Sequence, residues 1–257
     1  MGGRARIRAV FLDAGHTLLQ AHPSVGEIYA RETERLGARV EPALFEETLR
    51  SVFRECVSRV AAGPGKRGAS DEQDATMWRG ITLEIHRRIP ELAAVDYERW
   101  FLALYETFSE AEAWRLYPDV APSLARLRAM RIRLGVVSNW DSRLRRVVSG
   151  LGLDRLVDFV LISAEAGSRK PDSAIFRKAL GRAGVDSGEA LHAGDLFEED
   201  VVGARAAGIF PVLVDREGRN VRAPVFPMWT VSGLSELADR VEEGTFPTIS
   251  GRGLSRG

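Results

Sequence analysis

The chain has 257 residues, of which 45% are hydrophobic and 28% are charged, and its 36 basic residues balance 36 acidic ones. This zero net charge gives no electrostatic basis for binding nucleic acid or an anionic membrane surface. The single cysteine excludes an intrachain disulfide, and no apolar stretch approaches the roughly 18 residues of a membrane span.

The first predicted element is a buried strand over the short apolar run 7–12, which ends at Asp13. The basic residues before this run are followed by too few apolar residues for a signal peptide. We therefore expect a cytoplasmic protein.

Residues 20–114 contain no convincing strand pattern, unlike the segments before and after them. Apolar spacing predicts helices over 24–36, 42–60, 71–88 and 96–110. The glycine-rich segment 61–70 is expected to form a flexible loop between two of them. We therefore expect an all-helical cap domain at 20–114, inserted after the first strand.

Beyond this segment, strands and helices alternate. Apolar runs predict strands over 132–137, 158–162, 190–193 and 211–214. Helical patterns lie at 120–130, 173–183 and 200–207. This alternation predicts an α/β fold, with a Rossmann-like parallel sheet core flanked by helices and formed by 1–19 and 115–247. The Gly/Ser/Arg-rich tail 248–257 is expected to be disordered.

Polar residues follow three of the predicted strands. Asp13, Ser138 and Asp195 lie at carboxyl ends, where sheets of this kind bind ligands. Asp200 follows five residues after Asp195, and Lys170 is the obvious cation. Two like charges about 4 Å apart repel by roughly 4 kcal/mol at an effective dielectric near 20, so such a cluster needs a cation. Hard oxygen ligands suit Mg²⁺, and the chain lacks the Cys or His clusters that zinc prefers.

An anion site is predicted beside these carboxylates. Ser138 and Asn139 offer a hydroxyl and turn amides to phosphate oxygens, and Lys170 adds a point charge. A phosphate held there is placed for in-line attack by Asp13. An ionised carboxylate needs no base to be nucleophilic, and its attack would give an aspartyl-phosphate intermediate.

Four segments of the chain together resemble the motifs of the haloacid dehalogenase superfamily of hydrolases, in the subgroup with a helical cap inserted after the first motif. They are FLDAGHTL at 11–18, VSNWD at 137–141, RKPD at 169–172 and HAGDLFEED at 192–200. The resemblance covers nearly the whole chain, and the four motifs occur in the family's order.

The resemblance implies roles for the predicted site residues. Asp13 would be the nucleophile and a metal ligand, and Ser138 and Lys170 would hold the phosphoryl group. Asp195 would be a Mg²⁺ ligand, and Asp200 would lie in the outer metal shell or orient the lysine. The implied activity is that of a Mg²⁺-dependent phosphatase acting on a small phosphorylated metabolite, whose identity the sequence does not indicate.

The chain departs from the family pattern at Gly15. Most phosphatases of the superfamily carry a second aspartate here, which protonates the leaving oxygen and contributes about 10²–10⁴-fold. The backbone carbonyl of Gly15 can still serve as a metal ligand, but it cannot donate a proton. His16 either replaces the missing donor or only packs in the turn, and we favour packing. We therefore expect a slow hydrolase that prefers good leaving groups, such as aryl or acyl phosphates.

Two other functions stay open. One is a 2-haloacid dehalogenase, which uses no metal, but those enzymes place tyrosines where this chain has Gly15 and Phe176 and lack the Gly194-Asp195 arrangement. The other is a phosphate- or phosphoprotein-binding regulatory relative that has lost turnover.

Two further features are expected to be structural. His192, on the strand before Gly194, is expected to be a core histidine. Arg143, Arg145 and Arg146 are expected to form a solvated helix face.

Overall fold

The computed structural model describes residues 6–61, 69–218 and 226–244, with the side chains of 56–61 left undescribed. Eight strands occur in this part of the chain. They are β1 (Ala9–Leu12), β2 (Leu19–Ala21), β3 (Trp114–Leu116), β4 (Arg133–Ser138), β5 (Phe159–Ile162), β6 (Ala190–Gly194), β7 (Phe210–Val214) and β8 (Trp229–Val231).

Ten α-helices occur in the same described residues. They are α1 (Val25–Arg35), α2 (Pro42–Ala61), α3 (Asp71–Arg88), α4 (Tyr97–Thr107), α5 (Val120–Ala129), α6 (Leu144–Gly150), α7 (Ser163–Ala166), α8 (Ser173–Ala183), α9 (Gly203–Ala206) and α10 (Leu234–Glu243). A π-helix, Phe197–Val202, leads directly into α9. None of these helices combines the length and apolar character needed to cross a bilayer.

Six strands form one parallel sheet in the order β5-β4-β1-β6-β7-β8. Because side chains alternate along a strand, β1 sends Val10 and Leu12 into a core shared with α5, α6 and α10. It sends Ala9 and Phe11 into a second core shared with α8. Both faces of the sheet are thus covered by helices, which confirms the predicted α/β fold class.

The remaining two strands pair with each other outside this sheet. β2 and β3 form an antiparallel ribbon in which Leu19 lies opposite Leu116 and Ala21 opposite Trp114. The expectation that 20–114 lacks strands is therefore wrong at both ends of the segment. Strands of three residues are too short to show a period of two, so this pairing was not predicted.

Between β2 and β3 lie α1 to α4, which pack around Trp100. The indole N–H of Trp100 donates to Thr33 Oγ1 at 2.8 Å, and its ring meets Tyr29 edge-on at 5.6 Å. Ser24 and Ser70 cap the starts of α1 and α3, because each side chain accepts a hydrogen bond from a first-turn backbone N–H. The division of the chain into a core and a cap stays a prediction.

Most predicted elements occur within a few residues of their expected bounds. The helix expected at 200–207 differs, because the chain there forms the π-helix and then α9. β8 and α10 were not predicted. Most of the loop expected at 61–70 and all of the tail at 248–257 lie outside the described residues.

Candidate active site

The carboxyl ends of the central strands bring the predicted carboxylates together. Asp13 follows β1, and its backbone N–H donates to Ala193 O in β6 at 2.9 Å. Oxygen atoms of Asp13, Asp195 and Asp200 all lie within 4.8 Å of one another. Ser138, the last residue of β4, is buried at the same edge of the sheet. Three carboxylates from two distant segments of the chain therefore form one cluster.

Lys170 lies inside this cluster and is only 2% exposed. Its Nζ atom is 2.7 Å from Asp13 Oδ1 and 2.5 Å from Asp200 Oδ1. Burial by itself lowers the pKa of Lys170, but the charges of Asp13 and Asp200 outweigh burial and raise that pKa above its usual range. The amine is therefore a permanent cation that orients the Asp13 carboxylate.

Asp195 is the carboxylate of the cluster whose ionised form is destabilised. Burial, and then the charges of Asp13 and Asp200, raise the pKa of Asp195 well above its ordinary value. Ionisation of all three carboxylates beside one ammonium would leave an excess of negative charge within this group of four. An excess of this kind, presented by hard oxygen atoms, fits a divalent cation such as Mg²⁺. Asp13, Asp195 and Asp200 would hold the ion or its bound waters.

The π-helix Phe197–Val202 places Asp200 against the end of β6. The Asp200 backbone N–H donates to Leu196 O at 2.8 Å, and the Leu196 N–H donates to Asp200 Oδ2 at 2.9 Å. A Cβ atom on Gly194 would lie 2.1 Å from the carboxyl carbon of Asp200. Glycine is thus required at 194, because the carboxylate occupies the space of a side chain. π-Helical turns of this kind occur often at functional sites.

A side chain of β6 also contacts Asp200. His192 Nε2 lies 2.8 Å from Asp200 Oδ1. Burial raises the pKa of Asp200, but the charge of Lys170 and the hydrogen bonds from His192 and Lys170 outweigh it and hold that pKa well below its usual range. The expectation that His192 is a core histidine holds for its burial, but the sequence did not indicate this contact.

Asn139 uses its side chain to position Lys170. Its Oδ1 accepts from the Lys170 backbone N–H at 2.7 Å, and its Nδ2 donates to Lys170 O at 2.9 Å and to Glu199 Oε2 at 2.7 Å. These contacts fix the backbone that carries the buried amine. Phosphate binding by Asn139 stays a prediction, and the contact with Glu199 was not predicted.

Gly15 and His16 form the turn after Asp13. Gly15 pairs with Leu19 in an isolated bridge, and the His16 backbone N–H donates to Leu19 O at 2.8 Å. His16 has a φ of 53°, in the left-handed region, and its side chain is exposed. Proton donation by His16 and metal binding by the Gly15 carbonyl both stay predictions.

Helices α3 and α4 contact the loop that follows Ser138. The Arg143 guanidinium stacks 3.4 Å from the Tyr105 ring centroid and pairs with Asp141 at 2.7 Å. The Tyr105 hydroxyl donates to the same carboxylate at 3.2 Å. Asp71 accepts from the backbone and the hydroxyl of Ser142. The expectation of a solvated face is therefore wrong for Arg143, because the helical segment covers it.

Comparison with known proteins shows the family. The family model of the haloacid dehalogenase-like hydrolases matches residues 7–208, which is most of the chain. The protein therefore belongs to the haloacid dehalogenase-like hydrolases, the class that its motifs, parallel sheet and carboxylate cluster indicate.

Individual relatives share this assignment. The chain is 30% identical over 243 residues to the haloacid dehalogenase-like hydrolase domain-containing protein 3 of Danio rerio, a match covering 94% of this chain and 99% of that one. It is 32% identical over 244 residues to a phosphoserine phosphatase of Thermus thermophilus, covering 90% and 98%. A solved L-2-haloacid dehalogenase of Xanthobacter autotrophicus aligns with a TM-score of 0.67 at 21% identity, covering 92% and 98%, which shows a shared fold.

Proposed function

We propose that this hydrolase is a Mg²⁺-dependent phosphatase that acts on a small phosphorylated metabolite through an aspartyl-phosphate intermediate. The observation that carries the proposal is the position of the Lys170 amine between Asp13 and Asp200, with the Asp195 carboxylate in the same cluster. This arrangement combines an oriented nucleophile with an excess of negative charge that suits a divalent cation.

The reaction has two displacement steps at phosphorus. An Asp13 oxygen attacks the phosphorus atom in line, a P–O bond to Asp13 forms, and the ester P–O bond breaks. Gly15 offers no acid, so the leaving oxygen takes its proton from solvent or, if the exposed His16 replaces the missing donor, from that imidazole. Water then attacks the aspartyl-phosphate, releases inorganic phosphate and regenerates Asp13.

Charge stabilisation is divided between the chain and the cation. Ser138 and Lys170 would bind the phosphoryl oxygens, and Asn139 keeps the Lys170 backbone in place. Bound Mg²⁺ would supply further positive charge to the phosphoryl group. The backbone carbonyl of Gly15 is proposed as an additional ligand, and Asp200 as a residue of the outer shell.

The helical segment 20–114 is proposed to act as a cap that excludes water and selects the substrate. Its support is the set of contacts from α3 and α4 to the loop after Ser138. With no carboxylic acid at Gly15, we expect aryl and acyl phosphates to be better substrates than alkyl phosphates.

A phosphatase is favoured over a dehalogenase by the residue at 176 and by one of the relatives. Phe176 stands where the dehalogenases place a tyrosine, and it is buried in the core with its ring against His192. The Thermus thermophilus relative, aligned over most of both chains, is a phosphoserine phosphatase.

Hydrolysis of p-nitrophenyl phosphate by the full chain tests the proposal, with Asp13→Asn as the matched control. We expect Mg²⁺-dependent release of p-nitrophenol by the wild type and its loss in the variant. Equal activity in Asp13→Asn, or activity in EDTA, would refute the mechanism. Halide release from a 2-haloacid would instead identify a dehalogenase. Mg²⁺-dependent binding of beryllium fluoride without turnover would identify a phosphate-binding regulatory protein.

A further inference from the structure

His192 has an unusual place for an ionisable side chain. It lies in the middle of β6, where it is fully buried, and Phe11 and Pro211 flank it on the neighbouring strands. Its ring meets Phe176 edge-on, with ring centroids 5.0 Å apart. An apolar side chain would suit this environment, so the polar contact that histidine makes needs a reason.

The hydrogen bonds determine which ring nitrogen carries the proton. Asp200 Oδ1 already accepts from Lys170 Nζ, so this oxygen faces the ring as an acceptor. His192 Nε2 therefore donates to it. His192 Nδ1 is buried and has no hydrogen-bond partner in the part of the chain that the structure describes. A proton on Nδ1 would be buried there without an acceptor, so the ring is neutral.

The contact with Asp200 is thus the one hydrogen bond of this ring within the described residues, and a buried nitrogen is left unpaired to make it. Donation from a neutral ring has a specific benefit. It holds the carboxylate without adding a second positive charge that would compete with Lys170 or with a bound cation.

The His192 donor supports an Asp200 oxygen whose other partner is a lysine amine shared with a second carboxylate. Lys170 Nζ is shared between Asp200 Oδ1 and Asp13 Oδ1. The Leu196 N–H holds Asp200 Oδ2. Without the His192 donor, Oδ1 would keep only the lysine, and the carboxylate could turn toward Lys170 and draw it away from Asp13.

We propose that His192 is a positioning residue, whose Nε2–H fixes Asp200 so that Lys170 stays shared with Asp13 and the three carboxylates keep their cation-binding arrangement. The inference rests on the proposed phosphatase function. Partners that orient the groups around a metal typically affect metal affinity or activity by about 10–100-fold.

Three substitutions of His192 and one control separate a positioning role of this residue from a packing role. His192→Phe keeps an aromatic ring against Phe176 but removes the donor. His192→Gln keeps an N–H close to the place of Nε2, whereas His192→Asn carries its amide one bond shorter, near the place of Nδ1. Phe176→Leu is the matched control, because it disturbs the same core contact and leaves the donor in place.

Mg²⁺ affinity by calorimetry and kcat on p-nitrophenyl phosphate are the readouts, with melting temperature followed in parallel. We expect His192→Phe and His192→Asn to weaken Mg²⁺ binding and lower kcat by about tenfold or more, with little change in KM. His192→Gln should recover most of both losses. Phe176→Leu should lower the melting temperature and leave Mg²⁺ affinity unchanged.

The inference is overturned if folded His192→Phe or His192→Asn binds Mg²⁺ and turns over like the wild type. It is also overturned if His192→Gln is as impaired as His192→Asn at equal stability. If wild-type turnover does not depend on Mg²⁺, the proposed function fails, while the calorimetric comparison of wild type and variants still measures the positioning effect. A wild type that binds no Mg²⁺ overturns both.

Discussion

The turn after the nucleophile can accept the side chain that the family pattern places there. A Cβ atom on Gly15 would lie 3.7 Å from Trp140 Cζ3, an ordinary van der Waals distance. We expect Gly15→Asp to supply a proton donor and raise kcat/KM for an alkyl phosphate by about 10²–10⁴-fold. Turnover of p-nitrophenyl phosphate, whose leaving group needs no acid, should change little. Steady-state kinetics on the two substrates measures the difference.

Gly15→Asn is the control for this substitution, since it has the same size and no acidic proton. An equal gain in the asparagine variant would contradict the expected role of the acid. So would an aspartate variant that accelerates both substrates alike.

Asp195 makes the metal-free protein less stable than it could be. Its pKa is raised, so the folded protein binds this proton more tightly than the unfolded chain, where a carboxyl titrates near about 3.9. Stability contributed by this proton is present at low pH and is lost as pH rises through the raised pKa. We therefore expect Asp195→Asn to raise the melting temperature of the metal-free protein at neutral pH, by about 2–4 °C per kcal/mol recovered.

Thermal unfolding of both proteins in EDTA from pH 4 to pH 8 checks this expectation. The gain from Asp195→Asn should be small at the acid end and should grow with pH. A gain that stays constant across the range would show that the raised pKa is not its source.

The main site residues could be predicted from the sequence because each follows a strand end. Asp13, Ser138 and Asp195 needed only the strand pattern and the rule that ligands bind at carboxyl ends. The His192 contact depends on a side chain reaching across a turn, which no linear pattern reports. A partial signal existed, since His192 and Gly194 share one face of β6 and glycine leaves room there.

At the scale of elements, Tyr105 of α4 contacts an ion pair formed within the loop after β4, between Asp141 and Arg143. Asp141 is 1% exposed in its side chain and Arg143 is 15% exposed. Removing one partner of a buried pair leaves an uncompensated charge, which costs about 3–5 kcal/mol. We expect Arg143→Met to lower the free energy of unfolding by about that amount in urea titrations at neutral pH.

Arg146→Met on the same helix is the matched control. Arg146 is 58% exposed and pairs with Glu110 on the surface, where such pairs contribute about 0–1 kcal/mol. Similar losses in the two variants would show that the Arg143 pair is not special.

Element types were easier to predict than element details. Long apolar periodicity indicated the four large helices and the five central strands, because burial on one or both faces determines those patterns. The helix expected at 200–207 is instead the end of the π-helix Phe197–Val202 followed by α9, because the wider π turn leaves no mark on hydrophobic spacing. β8, with three residues, was too short to predict.

At the scale of the whole molecule, the carboxylate cluster links cation binding to stability. A cation that binds only the folded state stabilises it by about 2.7 kcal/mol at one hundred times its Kd. For a chain of this size we expect Mg²⁺ at that concentration to raise the melting temperature by about 5–10 °C. Differential scanning fluorimetry with and without Mg²⁺ measures the shift.

Asp195→Asn again provides the comparison, because it removes one of the three carboxylates. Its melting temperature should respond to Mg²⁺ much less than that of the wild type. An equal response in the variant would place the stabilising cation elsewhere on the molecule.

The ribbon of β2 and β3 has a consequence for how this architecture could be rebuilt. Adjacent strands lie about 5 Å apart, so Ala21 and Trp114, at the two ends of the helical segment, are neighbours. The chain therefore enters and leaves this segment through the β2–β3 ribbon, while α3 and α4 add contacts to the loop after Ser138. A tight hairpin, or a foreign domain whose termini lie close together, could be inserted between β2 and β3 while the six parallel strands keep their register.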